Sequence, residues 1–260
     1  MGLTQLDFTG RNKIETAIVL IQAWEPTDGY HLAFSGGKDS VVLQRLADMA
    51  GVKYDLVYNR TGIDPPELVQ FIRANFPQII ITKPKYSVWE GVQVNGLPRR
   101  QARWCCKLLK EYSGKDRVLL TGIRAAESAR RRQRCIVEAG RKDGKTYIHP
   151  MFLWDNAEVW EFIHSQKVPY CSLYDEGWKR LGCVLCPMTS PHDTLRQWQR
   201  WPKLAEAWFR AATRYWEKKR LSALKQFETP EAFIWWWITR GKVSVEAMQY
   251  KAEQMGLRLH

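Results

Sequence analysis

The chain has 260 residues, 45% of them hydrophobic and 12% aromatic, and its 40 basic against 27 acidic side chains give a formal net charge of +13. Such length and apolar content exclude a disordered or fibrous protein and suffice for one sizeable core with a small appended domain. No stretch approaches the roughly 18 apolar residues of a membrane span, and no charged start leads into an apolar block, so a cytoplasmic protein without membrane contact is expected.

Residues 1–28 read as a helix, with Ile14, Ala17, Ile18, Ile21 and Trp24 at spacings of three and four. A strand is expected at YHLAFS, residues 30–35, followed by Gly36 and Gly37 and then by Val42, Leu46 and Met49 at helical spacing. YDLVYN (54–59) predicts a second strand, PPELVQFIRANF (65–76) a helix opened by prolines, QIIITK (78–83) a third strand, and RVLLTGI (117–123) a fourth after a cysteine-bearing helical segment. AEVWEFIHSQ (157–166) is an amphipathic helix with Asp155 or Asn156 as its N-cap. Strands alternating with helices predict an α/β fold, doubly wound around a mostly parallel sheet. From Pro191 the strand signals stop, and a basic, tryptophan-rich helical tail follows. The expected organisation is therefore a helix over 1–28, a nucleotide-binding and cysteine-bearing domain over 29–190, and a C-terminal helical subdomain over 191–260.

The segment Ser35, Gly36, Gly37, Lys38, Asp39, Ser40 sits at the predicted strand-to-helix turn. Glycines there let the backbone approach a ligand, and the amides opening the helix form an anion site suited to phosphate. Lys38 adds a positive charge, Ser35 and Ser40 add hydroxyls, and Asp39 can cap the helix or hold a phosphate-bound magnesium ion. The spacing differs from that of a Walker A loop.

Six cysteines in a reducing compartment point to metal or redox chemistry rather than to disulfides. Cys105 and Cys106 are adjacent, and Cys183 and Cys186 form a C-x-x-C. Four thiolates suit zinc or an iron–sulfur cluster, and two adjacent cysteines would strain a closed tetrahedral zinc site. Cys135 follows a run of arginines that would activate its thiol, while Cys171 reads as a small buried hydrophobe. In the tail, Trp198, Trp201, Trp208, Tyr215 and Trp216 alternate with Arg196, Arg200, Arg210, Arg214, Lys218, Lys219 and Arg220. That pattern suits either a tryptophan core or a surface for nucleic acid, with a protein partner as a third use.

SGGKDS resembles the pyrophosphate-binding loop (PP-loop) of the ATP pyrophosphatase superfamily. RRQARWCCKLLK, TGIRAAESARRR, HPMFLWDNAEVWEFI and VPYCSLYDEGWKRLGCVLCP, in that order, resemble the phosphoadenosine phosphosulfate (PAPS) reductase family. The resemblance implies an adenine nucleotide alpha-hydrolase-like fold and a nucleotide, ATP with magnesium or PAPS or adenylylsulfate, held by Ser35–Ser40, Gly122, Arg124 and Ser128. Lys38, Asp39, Arg124 and Arg131 would act on its phosphates. It also implies a [4Fe-4S] cluster on Cys105, Cys106, Cys183 and Cys186, similar to that of the adenylylsulfate reductase branch, with Lys107 and nearby arginines offsetting its charge.

Two departures qualify the resemblance. Reductases of the family carry a nucleophilic cysteine in a C-terminal E-C-G-L-H tail, whereas here EQMGLRLH closes the sequence and no cysteine follows Cys186. The reductases also tend to have lost the glycines and lysine that SGGKDS retains. Both point toward ATP-dependent adenylation and sulfur transfer to an acceptor such as nucleic acid, with a sulfur-donor protein. The alternatives are sulfonucleotide reduction using Cys135 or a thiol reductant protein, and a non-catalytic nucleotide- or nucleic-acid-binding regulator.

Overall fold

A computed structural model describes residues 2–6, 10–140 and 144–241. The helices are α1 (Lys13–Ala23), α2 (Lys38–Ala50), α3 (Pro66–Asn75), α4 (Val88–Asn95), α5 (Trp104–Leu109), α6 (Ala129–Arg132), α7 (Asn156–Ser165), α8 (Pro191–Arg200), α9 (Pro202–Lys219) and α10 (Pro230–Thr239). The strands are β1 (Tyr30–Phe34), β2 (Tyr54–Asn59), β3 (Ile80–Thr82), β4 (Val118–Leu120), β5 (Val137–Ala139) and β6 (Thr146–Ile148).

The chain divides into two compact units, each discontinuous in sequence. The first comprises Met1–Arg60, Pro66–Lys83 and Tyr112–Leu181, and the second Thr61–Pro65, Pro84–Glu111 and Gly182–His260. The stretch 29–190 is thus shared between them: the glycine turn lies in the first unit, and all four paired cysteines lie in the second with the tail helices. The sequence from 242 onward, including EQMGLRLH, lies outside the described residues.

In the first unit the six strands order as β3-β2-β1-β4-β6-β5, parallel except for the antiparallel pair β5–β6. This is the doubly wound α/β sheet the alternation predicts. Leu32, Leu56, Val57 and Leu120 are buried because helices cover the parallel strands. The chain winds outward from β1 through β2 to β3, then returns to place β4 on the other side of β1. That reversal opens a crevice beyond the carboxyl ends of β1 and β4, the usual ligand position in such sheets.

Helix α1 starts later than expected, at Lys13, because Asn12 and Glu15 form a capping box. Ala17 and Ile21 are buried, whereas Trp24, expected on the apolar face, is the C-cap and half exposed. Asp155 caps α7 through its own box with Glu158. Lys13 Nζ lies 2.6 Å from Glu158 Oε1, tying α1 to α7.

In the second unit α9 packs between α4 and α10. Trp201 and Trp208 are buried, Trp208 edge-on to Trp89 with ring centroids 5.3 Å apart and tilted against Trp237 at 5.0 Å. These two tryptophans are therefore core, as one of the alternatives held. Trp198, Tyr215 and Trp216 are half-buried, and Arg210, Arg214, Lys218, Lys219 and Arg220 are exposed.

Candidate functional site

The glycine turn leaves β1 at Phe34 and enters α2 at Lys38. Gly36 has φ +73°, and a Cβ there would sit 2.8 Å from Leu68 and Ile72 of α3, so both backbone shape and space require glycine. Gly37 is the N-cap of α2 and supplies no side chain to its amides. The serine hydroxyls brace the turn from within. Ser40 Oγ donates to the Gly37 carbonyl (2.8 Å) and accepts from the Ser35 amide (3.2 Å), while Ser35 Oγ accepts from the Gly37 amide at 3.4 Å. The Lys38 amide donates to the Tyr174 hydroxyl at 2.8 Å. Burial pushes that phenol above its ordinary range, so it stays protonated.

Asp39 does not cap α2. Its carboxylate accepts from Arg124 Nε at 2.7 Å and Lys38 Nζ at 3.2 Å, and Arg124 also donates to the Trp154 carbonyl at 3.3 Å. Arg124 and Lys38 are only 2% and 5% exposed, so two cations are held under the turn by one carboxylate. Gly122, beyond β4, lies so close that a Cβ would come 2.9 Å from the Asp39 carbonyl oxygen. The structure therefore brings Ser35, Gly36, Gly37, Lys38, Asp39, Ser40, Gly122 and Arg124 together at the mouth of the β1/β4 crevice. Ser128 caps the short helix α6 by accepting from the Arg131 amide at 3.2 Å, and the Arg131 guanidinium pairs with Glu127. Cys135 is exposed and its amide donates to Glu138 at 2.8 Å, while Arg134 is occupied by the same carboxylate. Cys171 is buried, and burial raises its thiol pKa.

Two histidines are buried in the same sheet. His149, fully buried at the end of β6, places Nδ1 2.6 Å from Thr121 Oγ1, and burial lowers its pKa to about 4. His31 on β1 is likewise lowered to about 4, chiefly by burial and then by Arg117 and Lys145. The unfolded chain takes up these protons near the ordinary 6.5, before the native state does. Their contribution to stability is thus complete above about pH 6.5 and is lost as pH falls toward 4. The melting temperature should fall over that window, and His149→Gln should flatten the fall. An unchanged slope in that variant would show that His149 is not the group titrating.

In the second unit Cys105, Cys106, Cys183 and Cys186 line one small cavity with Ile63, Leu109, Lys110 and Trp208. The C-x-x-C loop is pinned from outside. The Val184 amide donates to the Ile63 carbonyl (2.7 Å), the Leu185 amide to Gln197 Oε1 (2.7 Å), and Cys183 Sγ to Thr61 Oγ1 (3.6 Å). Leu185 has φ +57°, a left-handed turn that bends the loop back toward the cavity. A hydrogen bond shared between the adjacent thiols raises the Cys105 pKa and lowers that of Cys106 to about 6, with Lys110 and Arg103 adding to the latter. Burial pushes the Cys183 thiol up to about 11, and Lys110, beside Cys183 and Asp64, is held above the ordinary lysine range.

Among the described residues no three His, Cys, Asp or Glu side chains converge closely enough to hold a single metal ion. The four thiols instead surround a cavity. Into the same cavity faces Trp208, whose buried indole Nε1 has no hydrogen-bond partner. Four soft sulfur donors, a fixed ammonium and an orphaned N–H donor form a chemistry that fits an anionic, sulfur-bearing group. Tyr174, Gln197, Lys110 and Trp208 were not singled out in sequence for these roles, because each acts through partners distant along the chain.

Residues 29–189 match the phosphoadenosine phosphosulfate reductase domain. Two uncharacterized proteins of Methanocaldococcus jannaschii are similar, one 33% identical over 73% of this chain and the other 31% over 70%. The matches span 42% and 47% of those proteins, so the chain covers less than half the length of these relatives. An adenosine 5'-phosphosulfate reductase of Bacillus cereus is 26% identical over 60% of this chain and 72% of its own. Among solved structures, a phosphoadenylyl-sulfate reductase of Candida auris in a phosphate complex superposes with a TM-score of 0.50. It shares 21% identity and covers 70% of this chain and 98% of that one, which bears on the fold alone. No helix among the described residues is long and apolar enough to cross a membrane.

Proposed function

Because the chain belongs to the phosphoadenosine phosphosulfate reductase family, we propose that it is a nucleotide-dependent enzyme of sulfur metabolism that adenylates an acceptor with ATP and exchanges the adenylate for sulfur. The observation that carries this reading is the complete turn Ser35–Ser40 with Lys38 and Arg124 gathered on Asp39. In this reading the turn and Lys38 grip the β- and γ-phosphates. An acceptor oxygen attacks the α-phosphorus, the bond to the bridging oxygen breaks, and pyrophosphate leaves with its magnesium ion. A sulfur nucleophile from a donor protein then displaces AMP. Lys38 and Arg124 lower the barrier by meeting the charge that develops on the phosphoryl oxygens, the main catalytic resource in such transfers. Ser128 and Arg131 are assigned to the anionic end of the nucleotide.

Cys105, Cys106, Cys183 and Cys186 would hold a [4Fe-4S] cluster, with Lys110 and the Trp208 N–H offsetting its charge; when bound, it supplies thiophilic iron. Nucleic acid is the acceptor class this reading favours, because the second unit presents exposed arginines and half-buried indoles.

The similarity to an adenosine 5'-phosphosulfate reductase supports a second reading, reduction of a sulfonucleotide to sulfite. One experiment separates the two: anaerobically prepared protein is given ATP, PAPS or adenylylsulfate, and pyrophosphate and sulfite are measured. Pyrophosphate from ATP, lost in Lys38→Ala, supports adenylation; sulfite from either sulfonucleotide without pyrophosphate release overturns it. The same preparation should carry about four irons per chain, lost on replacing any of the four cysteines by serine. Stoichiometric zinc without iron would sink the cluster.

A further inference from the structure

Beside the thiol cavity, and sharing Pro98 and Pro187 with it, the second unit holds another cavity of about 340 Å³. Its walls are Arg99, Arg100, Gln101, Trp236, Trp237 and Arg240. Three arginines line it, and no carboxylate among the described residues does. Arg240 closes α10 in the left-handed conformation (φ +59°), and its amide donates to the Trp236 carbonyl, which fixes its backbone beside the cavity. Arg100 Nε donates to the Pro187 carbonyl at 3.1 Å, leaving the far nitrogens of its fork for another partner. The Trp237 indole N–H donates to the Pro98 carbonyl at 2.6 Å, anchoring the wall, whereas Trp236 is only half-buried.

Like charges crowded into a pocket repel unless an anion joins them. Arginine forks match phosphate oxygens in pairs, and an indole face accepts any base by stacking. The cavity volume falls within the usual range of about 300 to 1,000 Å³ for ligand sites. From this geometry we infer that the Arg99–Arg100–Arg240 cavity binds one nucleotide of a single-stranded nucleic acid, its phosphate on the arginines and its base against Trp236. A polymer suits the unit better than a free nucleotide. A second cavity of about 360 Å³, lined by Arg210 and Arg214 with Trp89, Glu90 and Gln93, offers a further phosphate contact within the same unit through Arg214, since Arg210 is paired with Glu206. The inference rests on the proposed function only for what becomes of the bound strand, which would lie next to the four thiols.

The test uses the full chain and fluorescence anisotropy with labelled 12-nucleotide DNA and RNA single strands of mixed sequence, at several salt concentrations. Arg99→Gln with Arg240→Gln should weaken binding at least tenfold and reduce the log–log salt slope by about 1.4, two contacts at roughly 0.7 each. Trp236→Leu should weaken binding about tenfold with the slope unchanged, and Trp236→Phe should restore most of it. Equal losses from Arg210→Gln with Arg214→Gln, together with a silent Trp236→Leu, would reduce the effect to general surface charge and overturn the inference. So would competition by AMP or inorganic phosphate at the same concentration as the oligonucleotide, since the site would then serve a free anion. ATP binding at the Ser35–Ser40 turn, measured in parallel, keeps the two hypotheses apart. The arginine pair should lose the strand and keep ATP, and Lys38→Ala should do the reverse.

Discussion

Asp39→Ala is expected to abolish nucleotide turnover and to destabilise the protein by about 2 to 3 kcal/mol. By its place in a strand-to-helix turn, Asp39 would ordinarily be a residue whose loss spares the fold. The structure reverses that expectation, because Asp39 is the counter-charge for Arg124, 2% exposed, and for Lys38, 5% exposed. Removing one partner of a fully buried pair costs roughly 3 to 5 kcal/mol, since the remaining charge stays uncompensated. Asp39 retains 24% of its side-chain exposure, so water relieves part of that cost. Asp39→Asn keeps the shape and an acceptor for Arg124 Nε, so it should recover about half the stability while remaining inactive. Lys38→Ala removes a charge rather than stranding one, and should be inactive with nearly normal stability. Thermal melts beside pyrophosphate release test the pattern. If Asp39→Ala melted like the wild type, the ion pairs beneath the turn would not be structural.

These pairings explain which parts of the site could be read from sequence. The turn itself could, because strand, glycines and helix are contiguous and each carries a local signal. The partnership of Asp39 with Arg124 could not, since 85 positions separate them and only the return of β4 beside β1 brings them together. The same holds for Gln197, which looks like an ordinary polar position on a helix yet holds the C-x-x-C loop through the Leu185 amide. Strands β5 and β6 were missed because VEA and TYI lack the apolar runs that announced the equally short β3 and β4. Helix α4 was also missed, although Ser87 and Glu90 form a capping box that the sequence announces as S-x-x-E. The separation of the cysteines from the nucleotide turn into different units had no linker to reveal it, because the chain passes between the units several times.

Trp208→Ala is expected to destabilise the protein by about 3 to 5 kcal/mol, the usual range for deleting a buried aromatic side chain. The residue is 1% exposed, and its ring meets those of Trp89 and Trp237, so truncation opens a hole that three helices cannot close without moving. This is the outcome a packed tryptophan demands and a nucleic-acid-stacking one does not. Replacing the exposed Arg210, Arg214 and Lys218 by glutamate should leave the melting temperature almost unchanged, because exposed charges contribute little to folding. Trp208→Phe separates packing from hydrogen bonding at the same position. It keeps an aromatic ring against its neighbours but removes the buried indole N–H, which has no hydrogen-bond partner, from a residue that lines the thiol cavity. Its cost to the metal-free protein should be well below that of alanine, since less volume is lost and no satisfied hydrogen bond is broken. If the N–H serves a sulfur-bearing group, anaerobic Trp208→Phe protein should lose its iron faster to a chelator than the wild type. Equal loss rates, with the alanine variant destabilised as expected, would leave Trp208 a packing residue alone.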